Sequence, residues 1–329
     1  MKNLYASAGL LALVMAATPA QSAETIRMLA PTWLGFAPVH VANDLGCFKE
    51  EGLEVDYKFE DDRSNVLAAY ERGDIDVDMR TVGEHQGRPR DENTPGVIIG
   101  TIDESVGGDG VITDETIKSV ADLKGKTVAA EPNIPSRLLL QMELKKAGLT
   151  LADLQIKDIS TADTAAVFSD TSISAIATYE PFMSQAVKNS TRPNARVFIS
   201  SADARGIIID VITARKEDLA ANPKKYASFL KCIYKTIDFS KAEPDKYAEL
   251  AAPHFGLTPA EVKEILATSL AYTSLADTAA YMGKSGERGK LHDIFDQVMA
   301  LNVENGAADN TLDSNQQIDN SVINGLAAQ

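Results

Sequence analysis

From residue 24 onward the apolar positions of the chain alternate between two spacings. TIRMLA, LEVDYKFED and DIDVDMRT read as strands, whereas residues 39–51 and 65–72 place apolar side chains three and four apart and stop at Gly52 and Gly73. Strand and helix in alternation predict a parallel sheet with helices on its faces. The polar stretch EHQGRPRDENTPG reads as a loop, followed by VIIGTID, ESVGGDG and GVIT. A second round opens at KSVADLKGKTVAAE and runs through a helix over residues 136–147, closed at Gly148, and another near residues 163–168. It continues with the strand SAIATYE and a helix from Pro181, and ends in the strands ARVFISS and GIIIDVITAR. Beyond Arg215 the spacing is helical to the end, with stops at Pro223, Pro244, Pro253 and Pro259.

The first residues, MKNLYASAGLLALVMAATPAQSA, combine Lys2, an apolar run and small residues around Ala20, Ser22 and Ala23. This pattern predicts a cleavable secretory signal peptide over residues 1–23. The apolar run is shorter than the roughly 20 residues that span a bilayer, so the expected product is a periplasmic protein with no direct membrane insertion. The roughly 300 residues that follow are more than one core usually organises, which predicts two domains. A net charge of −15, spread along the chain, disfavours nucleic acid and anionic lipid as partners. The two cysteines, Cys47 and Cys232, are open to either one disulfide or two separate thiols. The histidines, His40, His85, His254 and His292, lack metal-ligand spacing, so no metal and no cofactor is expected; His85, in its polar loop, is expected to be solvated. Neither a nucleophile elbow nor a phosphate-binding loop occurs, which argues against an enzyme.

TWLGFAPVHVANDLGCFKEEGLEV, KSVADLKGKTVAAE, ATYEPFMSQA and GIIIDVITARKEDLAANP together resemble the solute-binding proteins of taurine, alkanesulfonate, nitrate and pyrimidine-precursor importers, the SsuA/THI5-like (NMT1) group. FEDDRSN, DESVGGDG and GIIIDVIT resemble a branch linked to urea or guanidine carboxylases. The resemblance implies an α/β, two-lobed type II periplasmic-binding fold, with two Rossmann-like lobes joined by two crossing strands and ligand held between them. The crossings are expected near residues 110–113 and 210–214. Lobe one is then residues 24–110 and 215–329, and lobe two residues 111–214. The implied function is a monomeric receptor that closes on a small-molecule solute and delivers it to the membrane permease of an ABC importer. Two alternatives are a periplasmic sensor module and a pyrimidine-related enzyme; the latter's cysteine-rich iron-binding motif is missing here.

Open α/β sheets bind ligands beyond the carboxyl ends of their strands. That rule selects the loops carrying Trp33, Phe36, Asp62, Thr81, Asn133, Ser136, Tyr179 and Glu180 as candidate ligand-binding residues. Trp33 is either an aromatic wall or a core residue packing its turn, and Phe36 leans toward core. Tyr179 and Glu180 resemble the family's aromatic-Glu-Pro segment. Asp62, Asp103, Asp109, Glu180 and Asp210 fall at strand ends or crossings; such carboxylates converging on one cleft imply a cationic guest or internal Arg pairing, unless they cap turns. Arg63, Arg80 and Arg137, with the helix starts at Ser64 and Ser136, favour an anion instead. The solute expected from this balance is an amine, a guanidine- or urea-like compound, or a zwitterionic sulfonate such as taurine.

Overall fold

The computed structural model describes residues 23–328; the expected signal peptide, apart from Ala23, lies outside the described residues. Eleven strands form two sheets among them: β1 (Glu24–Ala30), β2 (Leu53–Phe59), β3 (Val77–Thr81), β4 (Val97–Ser105), β5 (Asp109–Thr113), β6 (Thr127–Ala130), β7 (Gln155–Asp158), β8 (Ala175–Tyr179), β9 (Arg196–Ser200), β10 (Ile209–Ala214) and β11 (Leu270–Tyr272). The first sheet runs β11-β4-β10-β3-β1-β2, the second β7-β6-β8-β5-β9. Each contains three parallel strands, β2-β1-β3 and β7-β6-β8, as the βα alternation requires. Beside each trio lies one antiparallel strand that arrives from the other lobe: β10 pairs with β3 and β4, and β5 pairs with β8 and β9.

The chain therefore crosses between β4 and β5 and again between β9 and β10. Residues 209–214, expected in the second lobe, lie in the first sheet, and residues 110–113 lie within the second. The crossing segments themselves are residues 106–108 and 201–208. Gly107 and Gly108 belong to the first crossing because nothing larger fits: a methyl on Gly107 would meet the carbonyl oxygen of Thr268, and one on Gly108 the Trp33 ring and the Ser269 carbonyl.

Two local expectations change. The helix foreseen over residues 39–51 is two helices, Ala37–Asp44 and Cys47–Glu50, separated at Gly46, whose φ of 77° a glycine adopts without Cβ strain. The polar stretch after β3 begins as the helix Val82–Gln86, capped by reciprocal Thr81 and Glu84 hydrogen bonds. His85 is buried rather than solvated, its Nε2 sitting 3.1 Å from Gln317 Oε1, because the carboxyl-terminal segment covers this helix.

That segment packs on the first lobe as expected: Val322 and Ile323 join a continuous core with Ile26, Met28, Val77, Ile98, Val211 and Phe229. The second sheet has apolar clusters on both faces, around Leu139, Leu140 and Leu144 on one side and Phe168, Ile176 and Met183 on the other. Cys47 and Cys232 form a disulfide that ties the helix Cys47–Glu50 to the long helix Pro223–Ala242, whose buried face includes Tyr226, Phe229 and Ile233. The bond closes a loop across 185 positions of sequence. Cross-linking so long a loop removes much unfolded-chain entropy, so replacing both cysteines by serine should lower unfolding free energy by roughly 2–5 kcal/mol. Urea unfolding checks this; an unchanged midpoint would show that the bond contributes nothing to stability.

Candidate functional site

The carboxyl ends of both parallel trios face the space between the lobes. The crossing strands enter their sheets there, and each brings an aspartate. Asp210, the second residue of β10, pairs with Thr81 at the end of β3 and with Asp103 on β4. Asp109, the first residue of β5, pairs with Tyr179 at the end of β8. Strand connectivity thus delivers Asp103, Asp109 and Asp210 to one place. All three are buried, Asp103 fully.

Neutral donors surround them. Trp33 Nε1 donates to both oxygens of Asp103, at 3.3 and 3.2 Å. Ser136 Oγ lies 3.2 Å from Asp109 Oδ1, and the Asp109 amide donates to Ser201 Oγ at 3.3 Å. Asp103 and Asp210 share a hydrogen bond. Burial pushes Asp103 and Asp109 up to about 7 from the ordinary carboxyl range, against donation from Trp33 and from Ser105 and Ser136 respectively. Asp210 is raised as well, by burial first and then by the charges of Asp103 and Asp109. Asp103 and Asp210 titrate as a pair that keeps a proton at neutral pH. Gly35 sits against this group, where a methyl would collide with the Asp103 carboxyl and the Trp33 ring nitrogen.

The lobes meet over the same place. The Trp33 and Tyr179 rings are edge to face, with centroids 6.2 Å apart, and Tyr179 Oη lies 3.5 Å from Asp61 Oδ1. Asp61 also accepts from the Thr32 amide at 2.6 Å and the Thr32 hydroxyl at 3.1 Å. Two ion pairs join the lobes at their rims, Lys188 with Glu261 at 2.8 Å and Lys145 with Glu304 at 2.5 Å. Open grooves adjoin the contact. One of about 340 Å³ lies by Asn133, Arg137 and Asn302; another of about 500 Å³ lies by Ser184, Leu257 and Glu261.

The selected residues divide accordingly. Trp33, Asp103, Asp109, Ser136, Tyr179 and Asp210 converge on the cleft. Thr81 borders it and caps the helix Val82–Gln86. Asn133, at φ 64°, lines the 340 Å³ groove. Phe36 is fully buried in the first lobe's core. Asp62 is exposed and accepts from the Ser64 and Asn65 amides at the start of the helix Arg63–Arg72. Its neighbour Asp61 is the carboxylate that reaches Tyr179. Glu180 is buried and accepts from the Ser184 amide at 3.1 Å and hydroxyl at 2.7 Å; burial raises its pKa.

Of the three arginines, Arg63 is spent on the backbone carbonyls of Glu84, Gly87 and Arg88, and Arg137 pairs with Asp158 at 2.7 Å. Arg80 lies by the cleft, buried, with Nε on Asp78 at 3.1 Å and Nη1 on Glu84 Oε1 at 3.4 Å. Its Nη2 has no hydrogen-bond partner among the described residues. Asp78, Glu84 and Glu131 went unselected. Glu131 ends the KSVADLKGKTVAAE motif, so the strand-end rule would have found it; its side chain accepts from the Thr161 amide at 3.0 Å and hydroxyl at 2.7 Å.

A raised carboxyl pKa stabilises the fold at low pH and loses that contribution as pH rises through the folded-state value near 7. The buried imidazoles His40 and His85, whose pKa values burial lowers, act oppositely but only below about pH 6.5. Asp103→Asn keeps an acceptor for Trp33 and removes the titration. Its stability relative to wild type should improve by on the order of 2 kcal/mol between pH 5 and pH 8. Chemical denaturation at the two values checks this; a constant difference would mean that Asp103 titrates normally.

A protein of Brucella abortus (strain 2308) named as a binding protein is 24% identical over 229 residues, 68% of this chain and 69% of its own. The alkanesulfonate-binding protein SsuA from Xanthomonas axonopodis pv. citri bound to MOPS superposes with a TM-score of 0.75 at 14% identity, covering 92% of this chain and all of that one. The periplasmic nitrate-binding protein NrtA from Synechocystis PCC 6803 gives 0.73 at 12% identity, over 92% and 88% of the two chains. These likenesses agree on the two-lobed fold. The family description NMT1/THI5 like matches residues 33–247, and the chain belongs to that family.

Proposed function

We propose that this protein is the solute-binding component of an ABC-type importer, working in the periplasm after export. It captures one small polar solute between its lobes and presents the closed form to a membrane permease. The observation that carries this reading is the meeting of Trp33 and Asp61 from one lobe with Tyr179 from the other, directly over buried hydrogen-bonding groups. A site assembled from both lobes is complete only when they are closed, so ligand and closure favour each other. Two short crossings, residues 106–108 with Gly107 and Gly108 and residues 201–208 with the 3-10 turn Ser201–Asp203, confine lobe separation to few dihedral changes. The names of the Xanthomonas and Synechocystis neighbours support a solute-binding role on this fold. Among the described residues no helix is long and apolar enough to cross a membrane.

A thermal-shift screen of the purified mature protein against taurine, alkanesulfonates, nitrate, guanidine, urea, choline-like amines and pyrimidines tests the reading, because a ligand of the native state raises its melting temperature. One chemical class should stabilise the protein, and the same compound should reduce its radius of gyration in small-angle scattering. Tyr179→Ala should weaken that binding at least tenfold, since it removes the ring that meets Trp33 and the hydroxyl near Asp61. Its ligand-free melting temperature should fall by only a few degrees. Stabilising binding with no change in shape would contradict capture by closure.

A further inference from the structure

The cleft contains a charge arrangement that its own side chains leave incomplete. The groups acting most strongly on Asp103, Asp109 and Asp210 are one another, Glu84, Glu104 and Glu180, with Trp33, Ser105 and Ser136 as neutral donors. Tyr247 and Tyr272, hydroxyl to hydroxyl at 2.8 Å, flank Asp103 as further neutral groups. None of these is a cation. Buried carboxyls in such surroundings avoid the cost of desolvated charge in one of two ways, by keeping protons or by receiving a positive guest.

A second, independent feature lies by the same cleft. Arg80 is 2% exposed, yet among the described residues its Nη2 has no hydrogen-bond partner. The fixed fork of the guanidinium is held by Asp78 and Glu84, and the next groups whose charge acts on it are Glu131 and Tyr179 of the opposite lobe. A buried donor left unpaired is costly, so an acceptor supplied from outside is favoured there. Glu84 links the two features, since it bonds Arg80 and acts on both Asp109 and Asp210.

We propose that the cleft takes a small bifunctional solute, with a cationic ammonium or guanidinium nitrogen on Asp103, Asp109 and Asp210 and a carbonyl- or carboxylate-type acceptor on Arg80 Nη2, and that seating the cation expels a proton. The proposal rests on the solute-binding reading above and assigns its charge class. No covalent step is involved: an O–H bond of the Asp103–Asp210 pair ionises, the proton passes to buffer, and the solute remains a cation. Trp33, already held by Asp103, presents its ring beside the incoming charge. Organic anions lacking a positive nitrogen are disfavoured, because an anion held on Arg80 leaves the buried carboxyls with no counter-charge and adds negative charge beside them.

Titration calorimetry at pH 7, in phosphate and in Tris, tests the idea with β-alanine and guanidinoacetate as bifunctional probes, guanidinium and methylammonium as cations alone, and ethanesulfonate and nitrate as anions alone. The bifunctional probes should bind at least tenfold more tightly than the lone cations, and the anions not at all. The heat should differ between buffers by the ionisation heat of about one proton. Asp103→Asn should keep or raise the melting temperature while losing bifunctional binding, and Arg80→Gln should erase the tenfold preference over lone cations. Tight binding of nitrate or ethanesulfonate with lobe closure would overturn the charge assignment and leave the receptor reading standing. Retained binding in Asp103→Asn, heats independent of buffer, or silence of both bifunctional probes and both cations would also overturn it. Closure by none of the solutes in the broader screen would instead count against the receptor reading.

Discussion

The structure depends on burying carboxyl groups where the chain crosses between its two sheets. Strands β5 and β10 each enter a sheet antiparallel to the three parallel strands beside them, and each enters with an aspartate at the cleft. That placement fixes what surrounds it. Gly35 is small because Asp103 and the Trp33 ring occupy its flank, and Gly108 is small because the same indole lies over the crossing. The tryptophan is oriented by its bond to Asp103 and meets Tyr179 with the two rings nearly perpendicular. One electrostatic arrangement thereby sets the shape of the crossing, the position of the aromatic wall and the contact between lobes.

Much of this was legible in the sequence. The alternation of strand and helix gave two parallel cores, and the rule that ligands sit beyond strand ends found Trp33, Ser136 and Tyr179. Asp103, Asp109 and Asp210 were singled out because they fall at predicted strand ends and crossings, where a charge that only solubilises the surface is out of place. Three failures have physical causes. Asp61 and Asp62 are adjacent acids in one loop, and only the backbone direction decides that Asp62 caps the helix while Asp61 turns toward Tyr179. His85 lies in a stretch that reads as polar loop, and its burial depends on Gln317, 232 positions away. Residues 209–214 belong to the first sheet because strand order follows long-range pairing, which local spacing does not encode. The division of roles among Arg63, Arg80 and Arg137 was likewise unreadable, since it rests on which carbonyls and carboxylates each one reaches.

The scaffold around the cleft is unequal. The first lobe carries the disulfide, the long helix Pro223–Ala242 and the terminal helix Ser321–Ala327, all packed into one core. The second lobe is smaller, with separate apolar clusters on the two faces of its sheet. At the rims the lobes touch through exposed ion pairs, each worth about 0–1 kcal/mol and weakened by salt. Such rim contacts oppose separation of the lobes only weakly.

The most direct test is a crystal structure of the protein with the solute that most raises its melting temperature. Electron density for that solute between Trp33, Asp103, Arg80 and Tyr179, with contacts from both lobes, is the result this account predicts. Density confined to one of the outer grooves, beside Arg137 or beside Glu261, would contradict it.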